Sequence, residues 1–171
     1  PDAMIDEPSK SPGTGAGAVA GCAAAAGQRQ LLHLHLPAEQ TSLTRVAESV
    51  RAVAESEQWP AELGFHVDLV LEELVQNTVS YGYPDGRQGR IELAIQQQGD
   101  ALTIMVEDDG IPFDPFQQTT PDLAVPLEDR EIGGLGIHFT RTLMDECHYQ
   151  RAAGGNRIEM RKLLPGRAEP S

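Results

Sequence analysis

The chain has 171 residues, enough for one ordinary domain with little left for a second. An apolar fraction of 40% supports a packed core, and no apolar run approaches the roughly 18 residues of a membrane-spanning helix. Lysine plus arginine total 13 against 26 for aspartate plus glutamate, and the net charge of −13 argues against nonspecific nucleic-acid binding because it repels phosphate backbones. Cys22 and Cys147 lie far apart without CxxC spacing, so neither a disulfide framework nor a structural zinc site is expected and a reducing, cytoplasmic compartment fits.

Residues 1–28 read as a disordered tail. From Pro8 to Gly27 the chain is almost all small or turn-forming residues, with Val19 its only large apolar side chain, so burial cannot offset the entropy of ordering it. Two motifs inside this tail are rejected. Gly15-Ala16-Gly17-Ala18-Val19-Ala20 matches GxGxxA, but the Pro-bounded stretch before it cannot be the buried strand that a dinucleotide fingerprint requires. Val19-Ala20-Gly21-Cys22 has the form of a lipoprotein cleavage box, yet no basic segment and no apolar segment of about 7 to 15 residues precedes it. A folded domain is expected over 29–164, with a short C-terminal tail at 165–171.

The first element is a strand, Gln30 to Leu36, in which Leu32, Leu34 and Leu36 alternate with His33 and His35. The two histidines share a face, but with no third ligand nearby they read as solvent-facing strand residues rather than a metal pair. Between Ala38 and Gln58 an amphipathic helix is indicated by Leu43, Val46, Ala47, Val50, Val53 and Ala54 at 3 and 4 spacing. A second helix spans Ala61 to Ser80 with Leu63, Val67, Val70, Leu71, Leu74 and Val75 on its buried stripe; Gly82 caps it and Pro84 prevents continuation.

Arg90 to Gln96 and Leu102 to Glu107 flank Gly99-Asp100 as an antiparallel hairpin. Asp108 to Gly134 shows no periodicity, and so long a loop in a compact domain is usually a binding lid. A third helix follows at Leu135 to Met144. Strands at His148 to Arg151 and Arg157 to Leu163 close the domain around a Gly154-Gly155-Asn156 turn. Strands and helices in this order form an α+β fold, a two-layer sandwich of a mixed, mostly antiparallel sheet and about three helices.

Three polar clusters do not read as packing residues. Glu73 and Asn77 are four apart on the second helix, so a carboxylate that can accept a proton stands beside a carboxamide whose oxygen suits Mg²⁺. Taken alone, such a pair is usually solvated surface. Asp108 follows a strand and precedes Asp109 and Gly110, an arrangement suited to accepting a hydrogen bond from an exocyclic amine such as that of adenine. An acidic turn is the plainer alternative, and the spacing does not match a calcium loop. Gly133, Gly134, Leu135 and Gly136 lead into the third helix, where glycine-rich backbone and a helix N-terminus make an anion site. The glycines form neither a P-loop nor a dinucleotide fingerprint.

In this order the clusters resemble the three nucleotide-binding boxes of the GHKL ATPases, which share the Bergerat ATP-binding fold: an E-x-x-x-N helix, a D-x-G turn and a G-x-G turn before a helix, with a lid between the last two. The length, the run Leu71 to Asn77, Pro112-Phe113-Asp114-Pro115, Leu143-Met144-Asp145-Glu146 and Asn156 resemble the anti-sigma branch of serine/threonine protein kinases. The resemblance implies Glu73 as general base, Asn77 as Mg²⁺ ligand, Asp108 with Gly110 on adenine, and Gly133, Gly134, Leu135 and Gly136 on the triphosphate. It further implies ATP and Mg²⁺ as cofactors, an anti-anti-sigma antagonist phosphorylated on serine, a sigma factor as second partner, and a homodimer.

Pro112 replaces the second glycine of the middle box, and Arg130 is the lid's one clear basic anchor. A non-catalytic, nucleotide-gated binding module is the alternative reading, and a small ATP hydrolase that dimerises through its N-terminal strand is a third. An intact Glu73 and Asn77 favour the kinase.

Overall fold

Pairs of antiparallel connections build the sheet. The computed structural model describes residues 27–117 and 134–166, so residues 1–26 of the tail expected at 1–28, most of the lid including Arg130, Gly133 and residues 167–171 lie outside the described residues. The elements are β1 (Gln28–Pro37), α1 (Thr41–Ser56), α2 (Ala61–Tyr81), β2 (Arg90–Gln98), β3 (Ala101–Asp108), a 3-10 turn (Pro115–Gln117), α3 (Gly134–Leu143), β4 (Glu146–Ala152) and β5 (Gly155–Leu163). The sheet order is β1-β2-β3-β5-β4, and every pairing is antiparallel rather than mixed. The reason lies in the connections. The up-and-down pair α1–α2 returns the chain to β2 from the end at which it left β1. The one crossover that gives parallel strands, β3 through α3 to β4, has β5 inserted between them.

The inner face of the sheet meets the stripes of α1 and α2. Val46 and Val50 of α1 and Val67, Val70, Leu71 and Val75 of α2 are essentially fully buried against Ile91, Leu93, Ile95, Leu102, Ile104 and Met160. The opposite face carries a charged ladder, in which Glu107 pairs with Arg157 at 2.8 Å and Glu146 with Arg161 at 3.1 Å. At these exposures such pairs contribute little to stability. They keep an otherwise open sheet face polar. Among the described residues no helix is long and apolar enough to cross a membrane.

Turn chemistry explains the hairpins. Gly99 has φ 59 and Asp100 does not take a positive φ, the II′ arrangement expected of a glycine at the first central position. The last hairpin differs from expectation. Its loop is Ala153-Gly154, with φ 49 and 80, and Gly155 and Asn156 already belong to β5. The glycine at 155 is needed for another reason: a Cβ there would lie 2.5 Å from the Asp108 carbonyl oxygen of the neighbouring strand. In β1 a register shift between Gln30 and Leu32 puts both Leu31 and Leu32 partly against the core.

Candidate functional site

The candidate residues expected from the sequence lie on α2, at the end of β3 and at the start of α3. On α2, Asn77 is buried and Glu73 half-buried, so the pair is not the solvated surface that such residues usually form. Asn77 Nδ2 has no hydrogen-bond partner among the described residues. An unmatched buried amide is costly, and it leaves this side chain uncommitted to the fold. Burial pushes the Glu73 carboxyl above its ordinary pKa, and the adjacent Glu72 carboxylate adds to the shift. A desolvated carboxylate of this kind is a better proton acceptor than one in water.

Asp108 is the last residue of β3, and its two oxygens are used differently. Oδ1 accepts hydrogen bonds from the Gly110 N–H and from Asn156 Nδ2, both at 2.8 Å. Among the described residues Oδ2 has only the Thr78 hydroxyl, at 3.5 Å. That oxygen is left to accept a further donor in the cleft that Asp108 lines with Asn77, Thr78, Ile111 and Phe113. Burial raises the Asp108 pKa, opposed by the hydrogen bonds from Asn156, Gly110 and Thr78 and by the nearby Arg151 charge. The closeness of α2 to this turn depends on glycine. Ile111 N–H donates to the Gly82 carbonyl at 2.9 Å, and a Cβ on Gly110 would sit 2.9 Å from that same oxygen. Gly82 caps α2 in a right-handed conformation, φ −70, and a Cβ there would lie 2.6 Å from the Thr78 carbonyl oxygen of the preceding turn.

Two supports behind Asp108 were not assigned roles from the sequence. Asn156, 5% exposed, donates from Nδ2 to Asp108 and to the Ile111 carbonyl, while its Oδ1 accepts from Phe113 N–H, Tyr149 hydroxyl and Arg151. Asp109 accepts from the Arg90 N–H at 2.8 Å, the Tyr83 hydroxyl at 2.9 Å and Arg87 at 3.3 Å. Burial works against ionisation of Asp109, but these donors together hold its pKa down to about 2. Burial and the neighbouring carboxylates push the Tyr83 pKa up, and the Arg87 guanidinium stacks over its ring at 4.8 Å.

The third cluster is placed in part. Gly134 opens α3 and Leu135 lies in its first turn, whereas Gly133 is outside the described residues. Gly136 is buried inside the helix, and a Cβ there would overlap the Glu73 carboxylate. The start of α3 therefore rests directly on the face of α2 that carries Glu73. The thiol of Cys147 is half-buried and its pKa is raised to about 11 by burial, which makes it a poor nucleophile.

A helix bearing Glu73 and Asn77, a strand ending in Asp108 and a helix beginning in a glycine run, all on one antiparallel sheet, define an ATPase-type sandwich. Residues 36–162 match the histidine kinase-like ATPase domain family, and the chain belongs to that family. Serine/threonine-protein kinase BtrW of Bordetella bronchiseptica is 30% identical over 127 residues, covering 74% of this chain and 89% of that protein. Anti-sigma F factor of Clostridium novyi is 32% identical over 57% of this chain and 69% of its own length. Serine-protein kinase RsbW of Bacillus subtilis is 30% identical over 57% of this chain and 63% of its own. Among solved structures, the RsbU and RsbW domains of Rv1364c from Mycobacterium tuberculosis share the fold with a TM-score of 0.53 at 17% identity, over 78% of this chain and 32% of that one. The resemblance drawn from the three motifs, to the anti-sigma serine kinase branch, is borne out by these relatives.

Proposed function

We propose that the chain is an ATP-dependent serine kinase of the anti-sigma type, which phosphorylates an anti-anti-sigma antagonist and exchanges it for a sigma factor. The reading is supported by Asn77 and Asp108 lining one small cavity and by Gly136 of α3 lying against the Glu73 carboxylate on the same helix α2, together with relatives named as serine kinases and anti-sigma factors. Asp108 Oδ2 accepts the adenine amino group, with Gly110 giving the base room beside it. The N–H groups opening α3, at Gly134, Leu135 and Gly136 and preceded by Gly133, face the phosphates.

Asn77 would hold Mg²⁺ through its carboxamide oxygen, and its buried, unmatched Nδ2 would be left to donate to a phosphate oxygen. Bound there, Mg²⁺ would offset the negative charge of the phosphates. Glu73 accepts the proton of the substrate serine hydroxyl as its oxygen bonds to the γ-phosphorus and the bond to the β–γ bridging oxygen breaks, releasing ADP. The raised pKa of Glu73 suits it to this task.

The long edge strand β1, which pairs on one side with β2, supports a homodimer. Residues 29–164 constitute the ATP-binding unit in this reading, with flanking tails at 1–28 and 165–171, although β1 takes in Gln28.

The test is radiolabelled phosphate transfer from ATP to a co-purified anti-anti-sigma protein. Transfer to serine by the wild type, slowed by Glu73→Gln with ATP affinity nearly unchanged, is the expected result. Absence of transfer, combined with an ATP-dependent change in affinity for that partner, would favour a nucleotide-gated binding module.

A further inference from the structure

The exposed face of the sheet, away from the cleft, holds a second cluster of ligating side chains. His33 and His35 alternate on β1 and so share the solvent face, with ring centroids 4.6 Å apart. The register of β1 against β2 sets Glu92 directly opposite His35 and sets Ala94, a small residue, opposite His33. The third ligating group that the sequence lacks near the histidines thus arrives from a neighbouring strand. One Glu92 oxygen lies 2.6 Å from His33 Nε2 and the other 3.8 Å from His35 Nδ1, and the ligand atoms of the three groups all fall within 4.8 Å of one another.

We propose that His33, His35 and Glu92 form a divalent-cation site of the zinc class on the outer face of the sheet, which clips edge strand β1 to β2. Two imidazoles and one carboxylate are the donors that Zn²⁺ and its neighbours in the first transition row take, whereas Mg²⁺ prefers oxygen alone. Ligand bonds of about 2.0–2.2 Å in tetrahedral geometry place ligand atoms roughly 3.3 Å apart, so the present separations need to change by up to about 1.5 Å. The side chains are free to make them, being 37%, 71% and 44% exposed. Glu92 also faces Glu107 across β2–β3, but Glu107 is held by Arg157, which leaves the Glu92 carboxylate to the two histidines among the described residues. Remaining coordination positions open to water. An ion bridging two strands binds the folded chain and not the unfolded one, so it raises stability by linkage.

The test titrates the full chain with Zn²⁺ alone, in the absence of nucleotide, by calorimetry and by thermal unfolding. One Zn²⁺ per chain and a raised Tm are expected, with no comparable effect of Mg²⁺. His33→Ala, His35→Ala and Glu92→Gln should each weaken binding by at least the about 10- to 100-fold that loss of an outer-shell partner costs at metal sites. A His148→Ala variant and a chain with both cysteines replaced by serine should bind as the wild type does. Circular dichroism of the three variants checks that these exposed substitutions leave the fold intact. No Zn²⁺ binding by the wild type, or equal binding by the folded variants, would overturn the proposal.

Discussion

The two walls of the cleft each bury an asparagine, and the two are treated in opposite ways. Asn156, on the β5 side, uses both ends of its amide: two hydrogen bonds donated and three accepted, tying Asp108 to the loop at 110–113. Asn77, on the α2 side, is buried to a similar degree, at 7% against 5% exposed, yet its Nδ2 is unmatched among the described residues. A buried amide with all its bonds made rigidifies its surroundings, whereas one left short works against stability and persists where something other than the fold requires it. In the function proposed above, the β5 wall is the scaffold that holds Asp108 and the α2 wall carries the chemistry.

The largest expected effect lies on the α2 wall. Glu73→Gln preserves size but cannot take a proton, so phosphorylation should slow by about 10² to 10⁴ fold, as measured in single-turnover transfer assays. Because burial raises the Glu73 pKa and the base works ionised, wild-type transfer should fall on acidification with a midpoint above the about 4.3 of an ordinary glutamate. A rate that does not depend on Glu73 would move the base elsewhere, Glu72 being the next candidate.

On the β5 wall the effect should appear first in stability. Asn156→Ala orphans several buried groups at about 1–3 kcal/mol each, so urea unfolding should show a loss of at least about 3 kcal/mol. An unaffected midpoint would remove the scaffold role. Asp108→Asn should weaken ATP binding by about 1.5 to 3 kcal/mol, the range for hydrogen bonds to charged groups, as read by calorimetry.

A smaller effect belongs to the support at Asp109. Its pKa of about 2 in the fold lies below the about 3.9 of an unfolded aspartate, so its contribution is present above the latter and lost as pH falls through the former. The stability difference between wild type and Asp109→Asn should accordingly shrink between pH about 4 and 2 in acid titrations. Smallest of all is the stability effect of Asn77→Ala, expected within about 1 kcal/mol because removing a buried, unmatched amide nitrogen offsets the packing that is lost.

What the sequence made legible, and what it hid, divides along the same line. Among the described residues, periodicity placed the three α-helices and five strands to within a few residues, because each pattern is local. Glu73 with Asn77, Asp108 with Gly110, and the glycines before α3 are likewise local motifs, readable from spacing and family resemblance. The interactions that hold the site in place are not local. Asn156 meets Asp108 across 48 positions and Glu92 meets His33 across 59, and both contacts depend on strand register, which composition does not reveal. The glycines misled in a related way. Gly155 lies in a strand for the sake of a neighbour's carbonyl, so the hairpin turn fell on Ala153 instead. Gly136 lies in the first turn of α3, bare where Glu73 packs against it, a contact that spacing alone does not reveal.

The most direct test of the division between the walls is calorimetric titration of ATP, with Mg²⁺ and with EDTA, into wild type and Asn77→Ala. The account predicts that the wild type binds one ATP per chain, more tightly with Mg²⁺, and that Asn77→Ala loses the Mg²⁺-dependent increment while its unfolding midpoint is preserved. An Asn77→Ala protein that keeps the full increment, or a wild type that binds no ATP, would contradict it.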